Sequence, residues 1–287
     1  MDGDFPPFPL EKSRIAIVGV GLMGGSLALA LRGRVAALYL ADPDPETRAL
    51  ARAWGLGDTV AAHPEEAVRH ADVILLAAPI RAMLEIIPRL AEWVHHPAVV
   101  MDVGSTKVAV CRAFETLPPR FDPIGAHPLA GKTHQGLSHA DPRLFAGRPF
   151  VLSPLPRTGP RAKGFAQTLV TLLNARPVWM APETHDRLVA FTSHAPYLLS
   201  LALTLAAPGE SRAVFGPGFE SGTRLAGSSP RMMLDIMMTN LDAVLEALEA
   251  VETVLEQARV ALEQGREADL YALFQEALER HRKWFSA

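Results

Sequence analysis

The sequence predicts an α/β chain in two parts: a doubly wound sheet over residues 1–181, then an all-α part over residues 182–287. Three observations predict this. Up to about residue 181, short apolar β-branched runs alternate with helix-forming runs, the pattern of repeated strand–helix–strand units. Beyond Pro182 the strand-like runs stop, and apolar residues recur at spacings of three and four. Between the first strand-like run and the first helical one lies the series Gly19, Gly21 and Gly24.

The first strand, Arg14–Val18, is apolar after its first residue, as a parallel strand buried on both faces should be. Gly19 then permits a tight turn, Gly21 lets a backbone approach a pyrophosphate, and Gly24 lets helix and strand pack closely. The helix that follows, Met23–Leu31, offers unpaired N–H groups at Leu22 and Met23 to an anion. The second strand, Ala37–Leu40, ends at Asp42. At that distance from the glycines, a carboxylate accepts the ribose hydroxyls of NAD and repels the 2′-phosphate of NADP. The alternative for Asp42 is a helix cap ahead of Pro43. Arg48, six residues on, is a weak argument for NADP.

Helices follow over Pro45–Trp54 and Glu65–His70, then a buried strand over Asp72–Pro79. Its small last residues, Ala78 and Pro79, are expected at the cofactor crevice, because doubly wound sheets bind ligands at the carboxyl ends of their strands. A helix over Met83–Trp93 leads to a strand over Val99–Val103, which runs into Gly104-Ser105-Thr106-Lys107. Ile124-Gly125-Ala126 leads to His127-Pro128-Leu129-Ala130-Gly131. A strand over Pro149–Ser153, a helix over Ala162–Asn174 and a strand over Pro177–Ala181 complete this part. Asp2–Pro9 reads as a loose lead-in.

In the second part, Leu241, Val244, Leu248, Val251, Leu255, Ala258 and Leu262 form one seam along a long helix. The seam closes either within one subunit or between two. A helical part this small buries little by itself, which favours a homodimer. Arg266–Phe285 forms one more amphipathic helix. The uncharged run Ala190–Gly209 holds His194, two prolines and several hydroxyls without flanking basic or aromatic anchors, so it reads as a buried core helix and not as a membrane span.

Lys and Arg total 28 against 31 Asp and Glu, a net charge of -3. That balance gives no bulk attraction to nucleic acid or to an acidic membrane, so an anionic substrate needs local cations. The N-terminus shows no basic segment followed by an apolar core, hence no signal peptide. Cys111 is the one cysteine, which excludes an internal disulfide and fits a reducing cytoplasm. It reads as a buried, idle thiol, and no metal-ligand spacing is present.

Ser105 and Lys107 follow one strand end and His127 another, so all three are expected to face the cofactor crevice. A histidine there can take a proton from a substrate hydroxyl while hydride leaves the same carbon. The plainer readings are a turn histidine satisfied by backbone, a helix N-cap for Ser105, and a surface position for Lys107. The helical part offers Ser193, His194 and Tyr197, and Arg224 in Gly222-Thr223-Arg224-Leu225-Ala226. A guanidinium there can hold a carboxylate through two parallel hydrogen bonds; the alternative is an ordinary ion pair. His194 reads equally as a hydrogen-bonded core residue.

The segments Gly19–Leu31, Asp72–Pro79, Asp102–Lys107, His127–Gly131, Ser193–Pro196 and Thr223–Pro230, in this order, resemble the prephenate/arogenate dehydrogenase family of tyrosine biosynthesis. The resemblance implies an N-terminal Rossmann domain and an all-α C-terminal dimerisation domain. It also implies NAD-dependent oxidative decarboxylation of prephenate to 4-hydroxyphenylpyruvate. By position, His127 resembles the base for the ring hydroxyl, Ser105 a hydrogen-bond partner of that hydroxyl and of the nicotinamide, and Arg224 the carboxylate ligand. Ser193, Tyr197 and Thr133 fall at further substrate positions. Two departures stand out: Tyr197 replaces a family histidine, and Lys132-Thr133-His134 occupy a region where members often carry an acid. An added cation without an acid favours prephenate, with its ketone side chain, over arogenate, with its ammonium. Other readings are a β-hydroxyacid dehydrogenase, whose helical-domain lysine has no counterpart here except Lys283, and a non-catalytic NAD-binding dimeric sensor.

Overall fold

A computed structural model describes residues 5–132 and 134–286. Its strands are β1 (Arg14–Val18), β2 (Ala37–Ala41), β3 (Thr59–Ala61), β4 (Val73–Leu76), β5 (Ala98–Asp102), β6 (Phe121–Pro128), β7 (Pro149–Pro154) and β8 (Arg176–Trp179). Between them run α1 (Leu22–Leu31), α2 (Pro45–Ala53), α3 (Pro64–Val68), α4 (Ile80–Trp93), α5 (Val108–Glu115) and α6 (Pro160–Leu172). The strands form one sheet in the order β3-β2-β1-β4-β5-β6-β7-β8. The first six pair in parallel, β7 runs antiparallel to β6, and β8 is parallel to β7. The order 3-2-1-4-5-6 is that of a dinucleotide-binding sheet, with its reversal of winding between β1 and β4.

Both faces of the sheet are covered. Ile15, Ile17, Leu75, Val99 and Met101 face α1 and α6, while Ala16, Val18, Ile74, Leu76 and Val100 face α3, α4 and α5. This two-sided burial explains why the central strands read as continuous apolar runs. β3 does not appear in the sequence pattern because it is only three residues long, and its Thr59 is exposed. From Phe5 on, the lead-in is not loose. Phe8 packs edge-on against Phe165 at 5.2 Å, its N–H donates to Thr168 Oγ1 at 3.0 Å, and Phe5 lies against Trp179.

After β8 every element is helical: α7 (Pro182–Val189), a π turn (Ala190–His194), α8 (Ala195–Ala206), α9 (Pro217–Thr223), α10 (Pro230–Thr239), α11 (Leu241–Glu263) and α12 (Glu267–Phe285). Polar contacts tie them to the sheet. Arg81 Nε of α4 meets Asp235 Oδ1 of α10 at 2.8 Å, Thr106 and Thr239 share a hydrogen bond of 2.8 Å, and α7 docks on the start of α5. The uncharged run is not a buried core helix. Within it only Ala190, His194, Ala195 and Ser200 are buried, and Leu203 and Leu205 lie open. The seam of α11 closes only in part within one subunit: Val244 is buried and Leu248, Val251 and Ala258 are half-buried, but Leu241, Leu255 and Leu262 are exposed, as are Tyr271, Phe274 and Trp284 of α12.

Candidate active site

The loops after β1 and β4 meet at the winding reversal. Gly19 has φ +90°, and a Cβ there would lie 2.7 Å from the Ala78 backbone nitrogen. A Cβ on Gly24 would lie 1.9 Å from the Gly19 carbonyl oxygen, so α1 can approach the turn only as glycine. Gly21 differs: a Cβ there meets no protein atom within 4 Å, and it stands at the start of α1, where Leu22 and Met23 present the first N–H groups. An open space beside a glycine at a helix N-terminus fits a pyrophosphate. Asp42 closes the same loop. Its Oδ2 accepts the Val20 N–H at 2.7 Å and its Oδ1 accepts the Asp44 N–H at 2.9 Å. It does not cap a helix; Asp44 does that for α2. Arg48 donates to the carbonyls of Asp42 and Pro43, which fixes it to the backbone. Pro79 caps α4 at the mouth of the crevice, and Ala78 is half-buried.

His127 is the seventh residue of β6, registered against Val151 of β7. Its Nδ1 lies 2.8 Å from His185 Nε2, and His185 Nδ1 lies 2.7 Å from Asp186 Oδ1. Asp186 also accepts the N–H groups of Lys107 at 2.6 Å and Val108 at 2.8 Å, one on each carboxylate oxygen. The two N–H groups orient the Asp186 carboxylate at the start of α5. It accepts from His185 Nδ1–H, which leaves His185 Nε2 to accept from His127 Nδ1–H. The lone pair of His127 then sits on Nε2, away from the chain of three. Burial pushes the proton affinity of His127 well below the ordinary histidine value, helped by the nearby His185, Lys107 and His194, so the ring is neutral and able to accept a proton.

The plainer readings of Lys107 and Ser105 both fail. Lys107 is no surface residue: it is fully buried and its Nζ forms an ion pair with the equally buried Asp102. Ser105 is not an N-cap, because α5 starts at Val108 with Lys107 in the cap position. Ser105 lies half-exposed on the loop between them. Cys111 is buried, as expected, with its thiol pushed up to about 12, mainly by burial.

His194 is the core histidine of the plainer reading. It is 2% exposed, sits 3.3 Å from Asn240 Nδ2, and is pushed down to about 4, chiefly by burial. Its neighbour Ser193 on the π turn is exposed, and Tyr197 is half-buried against the sheet-side core. Arg224 is exposed at the end of α9, in a turn whose Ala226 N–H donates to Ser200 Oγ of α8. Thr133 lies outside the described residues. Lys132 is not an unpaired cation: its Nζ is 3.3 Å from Asp141 Oδ2. The sequence reading missed His185, Asp186, Asn240 and Asp102. The one available signal was the adjacent His185-Asp186 pair in the middle of α7, where both are buried.

The model of the prephenate dehydrogenase nucleotide-binding domain matches residues 26–179, and that of the prephenate dehydrogenase dimerization domain matches residues 181–276. The chain is 32% identical to a cyclohexadienyl dehydrogenase of Zymomonas mobilis over 79% of its length and 80% of that protein's. It is 32% identical to a prephenate dehydrogenase of Bacillus subtilis over 80% of its length and 65% of that protein's. Among solved structures, prephenate dehydrogenase from A. aeolicus in complex with hydroxyphenyl propionate and NAD+ superposes with a TM-score of 0.86. It is 28% identical, covering 96% of this chain and 99% of that one.

Proposed function

The chain belongs to the prephenate dehydrogenase family, and on that premise we propose that it is the NAD-dependent dehydrogenase that converts prephenate to 4-hydroxyphenylpyruvate and CO2. The observation that carries this reading is the chain Asp186–His185–His127, which leaves an unprotonated Nε2 on a strand end beside a dinucleotide crevice.

In this reading Gly19, Gly21, Gly24 and the first N–H groups of α1 hold the pyrophosphate of NAD, and Asp42 holds its ribose. NAD held there would supply the hydride acceptor for ring C4 of the substrate. His127 Nε2 takes the C4 hydroxyl proton as the carbon–oxygen double bond forms, and Ser105 hydrogen-bonds that oxygen. The bond from C1 to its carboxylate then breaks; its electron pair enters the ring, which becomes aromatic, and the phenolate oxygen recovers a proton from His127. The product's aromatic ring supplies the driving force, so positioning and one base are what the protein must provide. Arg224 and Ser193, with Tyr197 and Thr133, bind the carboxylates and side chain.

Residues 1–181 form the NAD-binding domain and 182–287 the substrate-binding and dimerisation domain. The apolar surface of α8, α11 and α12 supports a homodimer, and the reduced, buried Cys111 supports a cytoplasmic location. Prephenate remains favoured over arogenate, although Lys132 contributes less to that preference than an unpaired cation would.

The test is NADH formation with prephenate and, separately, with arogenate. Turnover with prephenate that falls about 10²–10⁴-fold in His127→Asn, with NAD binding retained, is the expected result. Binding of NAD without turnover of either substrate overturns the reading in favour of a sensor.

A further inference from the structure

Beneath His127 lies a closed circuit of buried hydrogen bonds. Asp102, at the end of β5, accepts the Gly104 N–H at 2.8 Å, the Ala126 N–H at 3.1 Å and the Lys107 ammonium. Gly104 precedes Ser105, and Ala126 precedes His127. Lys107 returns through its own N–H to Asp186, Asp186 to His185, and His185 to His127. Both members of the Asp102–Lys107 pair have fully buried side chains. The pocket is tight: a Cβ on Gly125 would lie 2.7 Å from Cys111 Sγ and 3.4 Å from Lys107 Cδ.

We propose that Lys107 and Asp102 are positioning residues for the reaction: the pair fixes the Ser105 loop and the His127 strand to each other. This rests on the reading of His127 as the base. Two features argue for it over a purely structural pair. A buried ion pair is often no more stable than an apolar pair of the same size, so stability alone gives no reason to place one here. And Asp102 donates none of its contacts to distant parts of the fold; apart from Lys107, its partners are the N–H groups beside the two chemical positions.

The charged and titratable groups facing His127 are His185 and Asp186 from α7, His194 from the π turn, Lys107 at the start of α5, and Asp102 beneath it. Like charges disfavour protonation. Removing the ammonium therefore raises the proton affinity of His127 and moves the acidic limb of the kcat/KM profile to higher pH.

The experiment compares the wild-type chain, Lys107→Met and the double variant Asp102→Asn/Lys107→Met. The double variant removes both charges together and so avoids a lone buried carboxylate if the single variant fails to fold. Each is assayed with prephenate and NAD across pH, and the histidine ε1 carbons are titrated by NMR, with His127→Asn assigning the His127 signal. In whichever variants fold, the expected result is a 10- to 100-fold fall in kcat with the KM for NAD little changed; Lys107→Met alone also displaces the acidic limb and the His127 titration upward, whereas in the double variant the two lost charges oppose each other and the limb stays near wild type. A folded double variant with kcat within about threefold of wild type overturns the proposal and leaves the pair structural. The titration needs no turnover: a wild-type chain inactive on prephenate would refute the functional reading, and the His127 signal of Lys107→Met would still report the effect of the ammonium on the imidazole.

Discussion

Asp186→Asn is the sharpest probe of the histidine chain. The carboxylate accepts three donors, at 2.6, 2.8 and 2.7 Å, from Lys107 N–H, Val108 N–H and His185 Nδ1. An amide of the same shape has one acceptor oxygen. In the Oδ1 place that oxygen keeps the Lys107 N–H and His185 Nδ1–H and sets its NH2 against the Val108 N–H; in the Oδ2 place it keeps the Val108 N–H, its NH2 faces His185 Nδ1, and two donors cannot face each other. His185 must then place its proton on Nε2 and donate to His127 Nδ1, which moves the His127 proton to Nε2. The imidazole stays neutral and stays in place, but its lone pair points away from the substrate. Reversal of a tautomer in the comparable serine-protease triad costs about 10⁴ in kcat. Here the expected loss is about 10²–10⁴, equivalent to roughly 2.7–5.4 kcal/mol in activation free energy. The assay is kcat with prephenate at saturating NAD, accompanied by NAD affinity from fluorescence and the thermal midpoint. A folded Asp186→Asn with kcat within about threefold of wild type would refute the tautomer argument and remove His185 from the mechanism.

Gly21→Ala should leave the thermal midpoint unchanged, because no protein atom lies within 4 Å of the added carbon, yet weaken NAD binding by tenfold or more in titration calorimetry; unchanged affinity would mean that the space is not the pyrophosphate site. Stability should fall on acidification in part through His194. Its folded-state value of about 4 lies below the unfolded value near 6.5, so the unfolded chain takes up a proton first. The stability is complete above pH 6.5 and is lost towards pH 4, up to about 3 kcal/mol. His194→Gln should flatten the denaturant midpoint over that window, and an unaltered slope would exclude His194 as its source. Leu255→Asp should yield a lower mass in light scattering, since Leu255 is 56% exposed on an apolar face; retention of the wild-type mass in both would show that this face is not the subunit contact.

The sheet was largely legible from residues because burial on both faces leaves continuous apolar runs, and because glycine is the only residue that fits Gly19 and Gly24. β3 was invisible because three residues carry no period. Lys107 was misread for a different reason: its environment is set by Asp102 and Asp186, which lie 5 and 79 residues away, and no local pattern reports a contact of the second kind. The same holds for His127, whose partner is 58 residues distant on another element. His194 shows the converse. A histidine in an apolar helix was open to two readings, and Asn240, which contacts it, selects the core reading only once α11 is folded back against the π turn.

The antiparallel strand β7 has a bearing on how steadily the chemistry is held. Most groups around a crevice of this kind hang from loops, whose backbones drift with every opening and closing. The imidazole of His127 is mounted on a rung of a ladder instead, opposite Val151, and groups mounted on strands keep their aim better than groups on loops. The ladder therefore fixes the backbone beneath the base, and each turnover begins with the proton acceptor already aimed.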